Sequence, residues 1–160
     1  MRRKDKEVTS REWQYGVLRE GEYLTLALAG TDGQPYIVPM NYGFGDGYII
    51  VHGALKGQKI DMIKANPLVC FNVVTGAEII RNEEDPSEFS EKYRSVTGTG
   101  TARLLEDTAE KKAALQTLMK HYDGPTEPIP EGMLKGVSVI IIDIKELTGK
   151  VSAYENPDKK

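Results

Sequence analysis

Lys59 closes the run Gly53-Ala54-Leu55-Lys56-Gly57-Gln58-Lys59. These residue types at this spacing can hold a phosphate. Glycine lets the backbone approach a ligand closely. The first N–H groups of a helix have no partner inside it and carry the positive end of its dipole. Lys59, with Lys56 nearby, adds a point charge. This is not the Walker pattern, which requires GxxxxGK[ST] after a parallel strand. A glycine-rich turn with solvated lysines explains the run equally well. A second candidate is Tyr93-Arg94-Ser95-Val96, where an arginine and a hydroxyl stand side by side at a strand start. An exposed edge-strand arginine is its plain alternative.

His52 ends a strand just before the glycine turn, and alone such a histidine is more often structural than catalytic. It is the only histidine near the candidate site; His121 is expected at the surface of a later helix. Two isolated histidines and one cysteine give no metal-ligand spacing. No nucleophile elbow is present. The carboxylates cluster in loops and helix faces, which does not support a paired-carboxylate hydrolase.

These residues need strands and one helix start to position them. From Pro35 to Pro67 the sequence predicts two strands joined by Gly45-Asp46-Gly47, then a helix over 57–65 closed by Asn66-Pro67. Such an arrangement offers a flat surface for a planar ring beside a cationic, N–H-rich corner. Upstream, Thr9-Ser10-Arg11-Glu12 has the capping-box pattern for a helix ending near Glu20, with Gly21 in a left-handed position. Leu24, Leu26 and Leu28 alternate as a strand, and Gly33 suits the following hairpin turn. The next strand is expected over 36–44, with Pro39 marking a sheet edge or bulge. Further strands are expected at 68–75, 93–105 and 137–144, the last covered on both faces. Helix 108–122 precedes a proline-rich loop at 124–133, and 81–90 is a polar loop.

Roughly six hairpin-joined strands with intervening helices predict a mainly β fold, a Greek-key or split barrel with flanking helices. The βαβ alternation and GxGxxG fingerprint of a Rossmann domain are absent. At 160 residues the chain is expected to be one domain, 1–160, with 155–160 a flexible tail. Net charge is −3, so no basic field argues for nucleic acid. No segment reaches the roughly 20 apolar residues that span a bilayer. Cys70, the single cysteine, is expected as a small buried hydrophobe and fits a reducing cytosol. The expected location is the cytoplasm.

Taken together, the N-terminal MRRKDKEV, PYIVPMNYGF, YIIVHGALKGQKIDMIKANPLVCFNVV, YRSVTGTGTA and the late LTGK resemble the pyridoxamine 5′-phosphate oxidase-related flavin-binding proteins. The nitroimidazole-resistance branch is the one most resembled, from about residue 1 to 151. The resemblance implies an FMN-binding split β-barrel, a homodimer, and flavin in clefts at the dimer interface. It implies a ring along Val38, Pro39, Met40, Asn41 and Tyr42 and along the strand ending at His52. It implies a phosphate near Gly53, Ala54, Gly57 and Lys59, with Arg94, Ser95 and Val96 contributing. Trp13 and the segment near Lys150 would close the cleft from the partner subunit. The true oxidase's substrate-phosphate residues and C-terminal ending are not recognisable here, so flavin binding is implied and vitamin B6 synthesis is not.

The expected function is an FMN-dependent oxidoreductase acting on a small nitro-aromatic or quinone, with NAD(P)H as electron donor and His52 as proton relay. FAD is the alternative flavin. A non-catalytic flavin carrier or sensor, and a relative holding haem or a deazaflavin, are the competing readings.

Overall fold

In the computed structural model, residues 2–159 are described. Strand accounts for 42% and helix for 28%, so the fold is mainly β and belongs to the split-barrel class. The elements in order are β1 (Glu7–Val8), α1 (Arg11–Glu20), β2 (Leu24–Ala29), β3 (Pro35–Met40), β4 (Tyr42–Phe44) and β5 (Tyr48–Gly53). Then follow α2 (Gln58–Ala65), β6 (Leu68–Ile80), β7 (Ser90–Leu104), α3 (Thr108–His121), α4 (Glu131–Gly136) and β8 (Ser138–Ser152). The sheet order is β3-β2-β6-β7-β8-β5-β4, with β1 on β8.

Contacts gather into two compact units. One comprises 22–71 and 98–146; the other comprises 1–21, 72–97 and 147–160. The long strands β6, β7 and β8 contribute residues to both.

In the first unit, β2 buries Leu24, Leu26 and Leu28 on one face, as their alternation predicts. β3 is the edge strand the sequence requires, since Pro39 pairs only towards Thr25 of β2. The strand expected over 36–44 is two strands. It breaks at Asn41, and β4 pairs with β5 while β3 pairs with β2. Helix α3 packs Ala114, Leu115 and Leu118 against Ile50 of β5 and Val139 and Ile141 of β8. The β-branched run of β8 is buried on both faces from Ser138 to Ile142, as its unbroken apolar pattern predicts. The stretch expected as a loop to 133 ends in a short helix, α4, whose Leu134 is buried.

Other expectations shift. Ser10, one residue after the expected hydroxyl, caps α1 by accepting from the Trp13 amide at 3.3 Å. Gly21 has φ −67°, not a left-handed value. Both β6 and β8 run well past their expected ends: the β6 extension over 76–80 is exposed and carries no alternating apolar signal, and the β8 extension buries Gly149, Val151 and Ser152. Cys70 lies on the outer face of β6 with Leu68 and Val74 and is only half-buried; Val69, Phe71 and Val73 take the core face. The described part of the tail, 155–159, is tied down, and Lys160 lies outside the described residues. Asn156 donates to the carbonyls of Asp5 (3.2 Å) and Glu7 (3.0 Å), and Asp158 accepts from the amide and hydroxyl of Thr9.

Candidate functional site

In the unit containing 22–71, β5 ends at His52 and Gly53, and α2 begins at Gln58 after Gly57. Gly57 has φ 130° and ψ 171°, a region reserved for glycine. No side chain caps α2 at this residue, so the first N–H groups of the helix keep no side-chain acceptor. Lys59, in the first turn, bends back across Gly53: a Cβ at Gly53 would stand 2.9 Å from the lysine Nζ. Burial depresses the Lys59 pKa. Among the described residues its ammonium makes one hydrogen bond, a 3.0 Å donation to the Met40 Sδ, and no ion pair. A thioether is a weak acceptor. A half-buried cation with so poor a partner is a place for an anion. Ala54, Lys56 and Gly57 beside it are exposed, so approach from solvent is open.

His52 pairs with Val139 in the sheet, and its ring is half-buried. Burial first, and the Lys59 charge second, push its pKa below the ordinary value, so the ring is neutral near pH 7. The ring borders a cavity of about 170 Å³ formed by α3, the following loop and α4.

On β3, Val38 and Met40 are half-buried while Pro39, like Asn41 after the strand, is exposed. Tyr42 departs from a ligand-contacting role. Its side chain is wholly buried, with its ring 4.6 Å from that of His121, and its amide donates to the Tyr122 hydroxyl at 2.9 Å. His121 is correspondingly a half-buried packing residue, not a surface one.

In the other unit, Arg94 lies beside Glu20, Nη2 to Oε1 at 2.6 Å, with its guanidinium 5.0 Å from the centre of the Tyr154 ring. Lys92 sits 4.3 Å from the same ring centre. The Tyr154 hydroxyl donates to the Gly76 carbonyl at 3.1 Å. The Arg94 Nε is buried without a partner among the described residues. Ser95 and Val96 are both buried; Val96 is at 0% exposure, and its carbonyl accepts from Asn72 at 3.2 Å. Trp13 packs against Gly149, and the Lys150 ammonium lies over the Tyr93 ring at 5.0 Å.

The sequence expects Lys59 at a helix start, and the structure has it there. Its contact with Met40 is not legible in the local pattern, and nothing in that pattern joins Tyr154, Gly76 and Glu20 to Arg94. No cluster of metal-ligating side chains exists among the described residues. No helix among them is long and apolar enough to cross a membrane.

Comparisons with known proteins agree with this architecture. No curated protein matches the chain. A candidate 5-nitroimidazole antibiotic resistance protein from Bacteroides thetaiotaomicron is 24% identical, with TM-score 0.81 over 91% of this chain and 86% of that one. A FAD- and haem-binding protein from Mycobacterium smegmatis is 20% identical, with TM-score 0.82 over 96% and 78%. An F420 reductase is 23% identical, with TM-score 0.57 over 86% and 98%. The family model described as pyridoxamine 5′-phosphate oxidase matches residues 10–151, and the chain belongs to that family.

Proposed function

We propose that this chain binds a flavin nucleotide, FMN, through its phosphate at the Lys59 corner. The observation that carries this reading is the half-buried Lys59 ammonium, whose one hydrogen bond among the described residues goes to a thioether. A phosphate would convert that weak contact into charge-assisted hydrogen bonds and would meet the uncapped start of α2. FAD carries the same ring, and the FAD- and haem-binding neighbour keeps that alternative in view.

A bound flavin supplies hydride chemistry. The chain supplies the rest. Lys59 and the α2 N–H groups anchor the phosphate, and neutral His52 holds or passes a proton near the strand end. The substrate class is a small nitro-aromatic or quinone, reduced at the expense of NAD(P)H, in the cytoplasm. The working form is a homodimer with the flavin between copies. A ring resting on one strand surface stays half exposed, and ligand sites of this kind usually enclose most of the ligand. Leu68 and Ile37, 57% and 67% exposed, are large apolar side chains that a second copy would cover.

The absorption spectrum of the purified protein tests the reading. Flavin bands support it, and a Soret band or a featureless spectrum sinks it. Reduction of the bound flavin by NAD(P)H, followed by turnover of a quinone, separates enzyme from carrier. A mass of 17.8 kDa by light scattering at micromolar concentration would exclude the dimer.

A further inference from the structure

The cavity beside His52 has a composition that the phosphate corner does not explain. Its walls are Leu118 and Met119 of α3, Pro128 and Ile129 of the loop, and Met133 of α4. Its volume is about 170 Å³. An apolar cavity of about 150 Å³ accepts a benzene ring, so the space beside His52 has room for one substituted ring.

The loop that walls it is held in place. Glu127 accepts from Lys112 of α3 at 2.7 Å and from Gln116 at 2.7 Å, and its other oxygen accepts from the Ile129 amide at 3.3 Å. The Lys112 hydrogen bond keeps the Glu127 carboxyl below its usual pKa, so the clamp stays charged at neutral pH. The cavity is therefore formed before any ligand arrives.

The imidazole of His52 is the only polar side chain lining it. That ring has no hydrogen-bond partner among the described residues. It offers one N–H donor and one nitrogen acceptor. No lysine or arginine is among the lining residues, so a carboxylate set against the Leu, Ile, Met and Pro side chains would gain no direct ion pair there. A neutral hydroxyl is the group that an imidazole nitrogen accepts from best.

We infer that this cavity is a binding site for a monocyclic phenol, its ring among Leu118, Ile129 and Met133 and its hydroxyl donating to His52. The inference rests on the cavity, not on the flavin reading, and either can fail alone.

The full-length protein, as purified, is titrated with phenol, benzene and benzoate while the His52 Cε1–H resonance is followed by NMR. Phenol is expected to bind at least fivefold more tightly than benzene and to move the resonance, with benzoate silent. Met133→Trp fills the cavity and is expected to abolish the phenol shift while flavin content stays as in wild type. Ile129→Phe serves the same purpose should Met133→Trp not fold. His52→Ala is expected to bring phenol down to the affinity of benzene. The inference is overturned if phenol leaves the resonance unmoved at 10 mM or roughly that scale. It is equally overturned if a folded cavity-filling variant binds phenol as wild type does, or if benzoate binds best.

Discussion

Lys59, in the first turn of α2, and Arg94, on β7, are both half-buried cations, and they are partnered in opposite ways. Arg94 has a carboxylate at 2.6 Å and an aromatic face at 5.0 Å. Lys59 has a sulfur atom. A guanidinium neutralised by Glu20 and stacked on Tyr154 contributes to the fold whether or not a ligand is present. A desolvated ammonium with no counter-charge costs folding free energy until an anion arrives. The contrast teaches that two cations of equal charge can differ in whether the fold itself supplies a strong partner, and under the proposed reading a ligand supplies it at Lys59.

The largest expected effect tests that division on the ligand itself. Lys59→Ala should weaken FMN binding by roughly 1.5–3 kcal/mol, the scale of a hydrogen bond to a charged group. Arg94→Ala should weaken it by no more than half as much, because any anion at Arg94 must first displace Glu20. Titration by flavin fluorescence quenching measures both. A larger loss in Arg94→Ala would reverse the assignment of the two cations.

Each corner also depends on a glycine, for different reasons. Gly57 has a backbone that only glycine adopts, yet a Cβ there would meet nothing within 4 Å. Gly76 has φ +59°, and a Cβ there would come within 2.6 Å of the Tyr154 hydroxyl and 3.2 Å of the Arg94 Nη2. Alanine at either position should cost about 1–3 kcal/mol in urea unfolding. The two differ in rescue. Tyr154→Phe removes the crowding oxygen and should recover part of the Gly76→Ala loss; it should recover none of the Gly57→Ala loss. Equal recovery in both backgrounds would show that the local contacts are not the cause.

Much of this was legible in the residues and some was not. The alternating leucines of β2, the β-branched run of β8 and the edge proline of β3 fixed strands and their faces, because period 2 and a missing N–H are local facts. The break at Asn41 was not legible. Both of its sides carry strand-forming residues, and only the pairing partners of β3 and β4 separate them. The place of Lys59 at a helix start is legible because glycines and the helix start lie next to it in sequence. The Arg94 corner draws Glu20, Gly76 and Tyr154 from three distant segments, so no window of sequence contains it. Cys70 was placed inside because apolar neighbours suggest burial, while strand alternation set it on the outer face.

A smaller effect tests the comparison by its sign. In flavin-free protein, Lys59→Met removes a desolvated charge and keeps the apolar stem, so thermal unfolding should move up by about 2 °C, the equivalent of about half to 1 kcal/mol for a chain of this size. Arg94→Met removes an ion pair and a stacked cation, and its midpoint should fall by a similar amount. Calorimetry on stripped protein measures both. Two midpoints moving in the same direction would end the distinction between a structural cation and a waiting one.

The smallest expected effect connects His52 to one corner and not the other. The folded-state pKa of His52 lies below its ordinary value of 6.5, through burial and the Lys59 charge. Between the two values the unfolded chain binds more protons than the folded one, so stability rises with pH across that window. It is fully present above about 6.5, is lost as pH falls towards the folded-state pKa, and changes no further below it. His52 is half exposed, so solvent screening keeps the change to about half a kcal/mol or less. His52→Gln should flatten this part of the profile. Lys59→Met should flatten it partly by removing the second cause. A phosphate-bearing ligand should do the same by offsetting the lysine charge. Arg94→Met should leave the slope as it is. Urea unfolding at a series of pH values from 5 to 8, roughly the range in which histidine titrates, reads the four slopes. A slope that follows Arg94 instead of Lys59 would break the electrostatic link between His52 and the phosphate corner, and with it the assignment of a proton-handling role to this histidine.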